Sequence, residues 1–81
     1  MKVLKFSMDG CVPCKLLQDV IDGISNLEID IENHNIAESN EMAMQYNVRG
    51  VPTLVLIDDV GNEVKRNVGM ITRDKLLEWL K

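Results

Sequence analysis

The sequence predicts an α/β domain: a minimal four-stranded mixed sheet with the element order β-α-β-α-β-β-α and helices on both faces. Three observations carry this. Apolar runs of strand length alternate with stretches of helical period, a turn signal separates the last two strand candidates, and the final ten residues have helical spacing. The 81 residues form one domain, residues 1–81, without repeats, low-complexity tracts or a linker.

"KVLKFS" (Lys2 to Ser7) opens the chain as a short apolar run with β-favouring Val3 and Phe6, and reads as the first strand. From Pro13 onward, Leu17, Val20, Ile21 and Ile24 recur at helical spacing, with Gly23 weakening the helix near its end. "LEIDIEN" (Leu27 to Asn33) alternates apolar with polar residues, as a half-buried second strand does. "SNEMAMQY" (Ser39 to Tyr46) predicts a second helix capped by Ser39 or Asn40. "TLVLID" (Thr53 to Asp58) is apolar enough for a central strand, and the turn "DVGN" returns it through "EVKRNV" (Glu63 to Val68) as a hairpin. In "TRDKLLEWLK", Thr72 is the expected N-cap and Asp74 sits in the first turn; Leu76, Leu77 and Leu80 are assigned to one face.

Composition narrows the function. Hydrophobic residues make up 46% and charged residues 27%, a globular balance. A formal charge of -4 argues against nucleic acid, because a phosphate backbone selects basic surfaces. "MKVLKFSMDG" lacks the apolar stretch and cleavage site of a signal peptide, and no segment has the ~18 apolar residues of a membrane span. A cytoplasmic location, no membrane association and a monomeric state are expected. In that compartment permanent disulfides are rare.

Both cysteines lie in "SMDGCVPCKLL" (Ser7 to Leu17). Such a pair serves as a structural disulfide, as half of a metal site, or as a dithiol that opens and closes. A structural zinc site takes four ligands and the only histidine is His34, read as an exposed residue at the end of the second strand; no metal is expected. The right-handed crossover rule makes the first two strands parallel and places the cysteines at the carboxyl end of the first strand, at a helix N-terminus. There the unpaired N–H groups and the positive end of the helix dipole favour a thiolate, and Cys-X-X-Cys thiols have pKa values of roughly 3.5–7.5. Cys11, outside the helix, is the expected nucleophile, and Cys14, in the first turn, the resolving thiol. Pro13 suits that turn, since its missing N–H would have no partner there.

"CVPCK" (Cys11 to Lys15) after a strand, "NVRGVPTLVLI" (Asn47 to Ile57) and Gly69 after the hairpin resemble the thioredoxin superfamily over nearly the whole chain, without the first strand and helix of full-length thioredoxins. The resemblance implies a thiol-disulfide oxidoreductase whose only redox group is the reversible Cys11–Cys14 disulfide, with no other cofactor. It also implies Pro52 in cis, facing the dithiol. A cis proline would present the Val51 main chain to an extended substrate segment, and Val12, Val51 and Met70 would surround the cysteines as a shallow apolar docking patch. Disulfide-containing proteins are the implied partners, ribonucleotide reductase among the candidates, with a thioredoxin-reductase-type enzyme or glutathione as electron donor.

Three residues depart from the family pattern. Gly10 stands where thioredoxins carry an aromatic residue, Lys5 where they bury an acid, and Asn33 where that acid's lysine partner falls. For Lys5 two placements compete: the amine under the sheet near Cys14 with a lowered pKa, or a packed stem with its head snorkelling to water. The second is favoured, and Lys5 and Lys15 are kept as candidate modulators of the dithiol. Protein disulfides are the preferred substrates. "VGMITRD" and "CVPC" lack the paired glycines and the tyrosine of glutaredoxins, which leaves glutathione mixed disulfides as the alternative, and a redox-inactive binding module on the same fold as a further one.

Overall fold

The computed structural model describes residues 1–38 and 40–81. In chain order the elements are β1 (Lys2–Ser7), α1 (Val12–Asp22), β2 (Asp30–Asn35), α2 (Asn40–Gln45), β3 (Thr53–Ile57), β4 (Glu63–Val68) and α3 (Arg73–Trp79). The sheet runs β2-β1-β3-β4, with β1 and β2 parallel and the other two pairs antiparallel. This is the expected mixed sheet in the expected order.

Alternation along the two central strands builds two cores. Val3, Leu54 and Leu56 face Leu17 and Ile21 of α1, Ile71, and Leu76 of α3. Leu4, Phe6, Val55 and Ile57 face Ala43 of α2 and Tyr46 just beyond it. One layer therefore holds α1 and α3, and α2 covers the opposite face. Cys14, Leu17 and Ile21 form the buried stripe of α1, at spacings of three and four. Gly23 ends that helix, its N–H donating to the Asp19 carbonyl at 3.1 Å. Thr72 caps α3, as expected, accepting from the Lys75 N–H.

Several expectations are corrected. The second strand begins at Asp30 rather than Leu27, because its parallel ladder starts where β1 does, with Lys2 opposite Asp30, and runs to Asn35 opposite Ser7. Leu27 and Ile29 still pack against the first core, so their alternation reported burial and not pairing. His34 is half-buried within β2; the register sets it beside Phe6, and the two rings stack with centroids 5.6 Å apart. β3 stops at Ile57, because Asp58 turns the chain by accepting the Val60 and Asn62 N–H groups at 3.0 and 2.8 Å. Leu77 is exposed while Leu76 is fully buried and Leu80 packs against the core, since adjacent helical positions diverge by about 100°. The cap expected at Ser39 lies outside the described residues, and Asn40 is already helical.

Leu17 has no exposed surface and ties the dithiol-bearing helix to the sheet. Leu17→Ala should lower unfolding stability by about 2–5 kcal/mol, a large fraction of the roughly 5–15 kcal/mol typical of a domain. The check is urea denaturation, where an unchanged midpoint would contradict this anchoring role.

Candidate active site

β1 ends at Ser7, and the turn Met8–Gly10 reverses the chain into α1. The Cys11 N–H donates to the Met8 carbonyl at 3.3 Å, and Gly10 takes φ +78°, a left-handed value that disfavours a side chain. Asn35, at the end of β2, donates to Asp9 at 3.0 Å and fixes the turn to the sheet edge. Cys11 is the N-cap of α1, and its sulfur accepts the Cys14 N–H at 3.1 Å. Pro13 occupies the first turn, as expected. The two sulfurs are bonded to each other; Cys11 is half-buried and Cys14 only 4% exposed. The sulfur that can meet a large partner is therefore the one at the helix N-terminus.

An open depression of about 420 Å³ lies against the dithiol, lined by Lys5, Asp9, Gly10, both cysteines and Lys15, among others. Lys5 is 4% exposed: its position on β1 points it toward the α1 layer, so its stem packs under the helix that carries Cys14, while its amine, without a hydrogen-bond or ion-pair partner among the described residues, meets the open depression, as the snorkelling placement has it. Burial pulls its amine below the usual lysine range, opposed in part by the negative charge of Asp22. Asn33 is its register partner on β2 and supplies no charge. Lys15 is exposed on α1, its N–H donating to the Cys11 carbonyl at 3.2 Å.

Of the remaining candidate residues, Val12 also lines the depression, while Val51, Pro52, Gly69 and Met70 gather at the same end of the sheet without lining it. Phe6 pairs with Thr53 and Thr53 with Val68, so the start of β3 and the end of β4 meet the end of β1. The Val51–Pro52 bond is cis, and Pro52 is buried. The Gly69 N–H donates to the Pro52 carbonyl at 2.8 Å and the Thr53 hydroxyl to the Gly50 carbonyl at 2.7 Å, which fixes both loops. Val12 and Met70 are exposed and Val51 half-buried.

Comparison with known proteins agrees with this geometry. A family model described as a thioredoxin-like domain matches residues 2–81. The chain belongs to the thioredoxin-like family. It is 31% identical to the SPbeta prophage-derived thioredoxin-like protein YosR of Bacillus subtilis, over the full length of both. It is 34% identical to a thioredoxin of Chlamydia trachomatis, covering 96% of this chain and 78% of that one. Among solved structures, a mutant thioredoxin from Halobacterium salinarum superposes with a TM-score of 0.85 at 33% identity, covering 95% of this chain and 68% of that one. Thioredoxin 1 from Thermosipho africanus gives 0.83 at 30%, covering 99% and 90%.

Within this thioredoxin-like protein, sequence reading missed Ser7, Met8, Asp9 and Gln18 as lining residues. Gln18 was findable, since it lies four residues after Cys14 on one helix face. The Asp9–Asn35 contact had no sequence signal, because only the β1–β2 register brings those residues together.

The lowered Lys5 pKa has a consequence for stability. The folded state disfavours the ammonium, so between the folded pKa and the ordinary value of 10.5 the unfolded chain binds more protons. The penalty is complete below that window, and stability from this group rises with pH through it. Lys5→Met should therefore stabilise the protein at neutral pH, and the gain should shrink as pH approaches the ordinary lysine value. Urea midpoints of both proteins across that range measure this; a pH-independent difference would refute it.

Proposed function

We propose that this protein is a thiol-disulfide oxidoreductase that reduces disulfides in protein partners and carries electrons between them and a reductase or glutathione. The observation that carries the reading is the asymmetry of the pair: Cys11 is the more accessible sulfur, caps α1 and accepts the Cys14 N–H, while Cys14 is buried behind it. In the reduced protein the same N–H and the helix dipole favour the Cys11 thiolate.

The Cys11 thiolate attacks one sulfur of the substrate disulfide. A bond forms between Cys11 and that sulfur, the substrate disulfide breaks, and the other substrate sulfur leaves as a thiolate. Cys14 then attacks the Cys11 sulfur, forming the Cys11–Cys14 bond and releasing the second substrate thiolate. The dithiol is oxidised by two electrons and the substrate reduced by two. The docking edge suits an extended segment: Val12 and Met70 offer exposed apolar surface, and the Val51 N–H and C=O make no hydrogen bond among the described residues. Such an edge fits the small, weak interfaces of redox encounters. A cytoplasmic, monomeric carrier is consistent with this role, with disulfide-containing proteins, ribonucleotide reductase among them, as its partners.

Two measurements test the proposal. Cys14→Ser should accumulate a mixed disulfide through Cys11 when offered a protein disulfide, and Cys11→Ser should accumulate none; the opposite pattern would reverse the roles. Insulin should be reduced faster than hydroxyethyl disulfide, each assayed with its own recycling system. Faster turnover of the small disulfide would move the assignment to glutathione chemistry.

A further inference from the structure

We propose that the depression beside the dithiol is a specificity subsite that takes the carboxylate of an acidic residue next to the target cysteine in a protein partner, with the Lys5 ammonium as its counter-ion. This rests on the redox reading of the dithiol and adds to it a preference among protein disulfides.

Lys5 is 4% exposed, and its amine meets the depression with no hydrogen-bond or ion-pair partner among the described residues. A buried ammonium without a counter-ion is unfavourable, and a carboxylate brought to it by a ligand removes that deficit. The neighbouring acids are engaged elsewhere. Asp9 accepts from the Asn35 amide at 3.0 Å; Asp22 accepts from the Gln18 amide at 2.8 Å and acts on the Lys5 amine only through space. Asn33 and Leu54, the register partners of Lys5 on β2 and β3, carry no charge.

The rest of the lining fits the same ligand. Its charged residues are Lys5, Lys15 and Asp9, two cations against one anion, in a chain whose formal charge is -4. Met8 and Val12 expose apolar surface along the depression, which suits the methylene groups of an acidic side chain. Cys11 and Cys14 line it as well, so a group seated there lies next to the disulfide being reduced. Gly10 puts no side chain into this wall, and the space where a Cβ would stand has no atom within 4 Å. Two of the three departures from the family pattern therefore meet in one place: Gly10 leaves the depression open and Lys5 gives it charge. The Val51 and Met70 edge does not line it, so a partner segment docked along that edge leaves the depression free for its acidic side chain.

The test compares two synthetic peptides that differ only in Glu or Gln beside a single cysteine, each supplied as its disulfide-linked dimer. Second-order rate constants for reduction by the reduced protein are divided by those for reduction of the same dimers by dithiothreitol, which removes the intrinsic difference between the two disulfides. The wild type should prefer the Glu peptide by about tenfold, the order of a hydrogen bond to a charged group. Lys5→Met should reduce both peptides at the same normalised rate; any change in thiol reactivity affects both and cancels in the ratio. Lys75→Met removes one exposed charge outside the depression and should keep the preference within about twofold, since exposed charges are screened by salt. Equal rates for the two peptides in the wild type would overturn the proposal and leave the redox reading standing, and this comparison needs no variant to fold. A preference that survives in folded Lys5→Met, or that Lys75→Met abolishes as fully, would also overturn it. Reduction of neither peptide would remove the redox reading and this proposal with it.

Discussion

The position of β1 constrains everything else. It pairs with β2 on one side and β3 on the other, and from Val3 to Phe6 it is buried on both faces. Among the described residues there is no second strand of this kind that also leads into the long helix. Its alternation divides the core into an α1/α3 layer and an α2 layer, and its carboxyl end decides where the dithiol turn begins. The same constraint forces Lys5 inside, because a residue between Leu4 and Phe6 on a doubly covered strand has nowhere to go except under α1.

How much of this could be read from the sequence depended on whether the signal was local. β1 and β4 have the boundaries that their residues suggest, and the cap at Thr72 acts where its chemistry places it. The end of β3 and the exposure of Leu77 are local misses; the other failures are cases where a partner strand or helix decides. Leu27 and Ile29 alternate like a strand, yet have no β1 residue to pair with. His34 looks peripheral until the register lays it over Phe6. Lys5 was given the exit that long side chains usually find, and the stem is packed as expected, but the exit is the depression beside the dithiol, which only the fold assembles. The dithiol itself was legible because its meaning is carried by two residues and the helix start between them. The depression beside it, assembled from β1, the turn and α1, was not.

The dithiol separates two different environments. On one side lie the ends of β3 and β4, where Val51, Pro52, Gly69 and Met70 are held by two short hydrogen bonds and present a mixed apolar and main-chain surface. On the other lies the depression, lined by apolar residues such as Met8 and Val12 together with Lys5, Asp9 and Lys15. Both cysteines line the depression, the outer one half-buried and the inner one 4% exposed.

The bond from the Cys14 N–H to the Cys11 sulfur has one more implication. A helix cap strengthens as the capping atom becomes more negative, so a thiolate at this position holds the first turn of α1 more firmly than a disulfide sulfur does. By linkage, whatever free energy the reduced sulfur contributes to the helix is the same free energy by which the helix favours the reduced sulfur. The redox-dependent part of the stability of α1 and the midpoint potential of the dithiol are thus two readings of a single quantity: a substitution that changes the helix equally in both redox states leaves the potential alone, and one that changes it in only one state moves both.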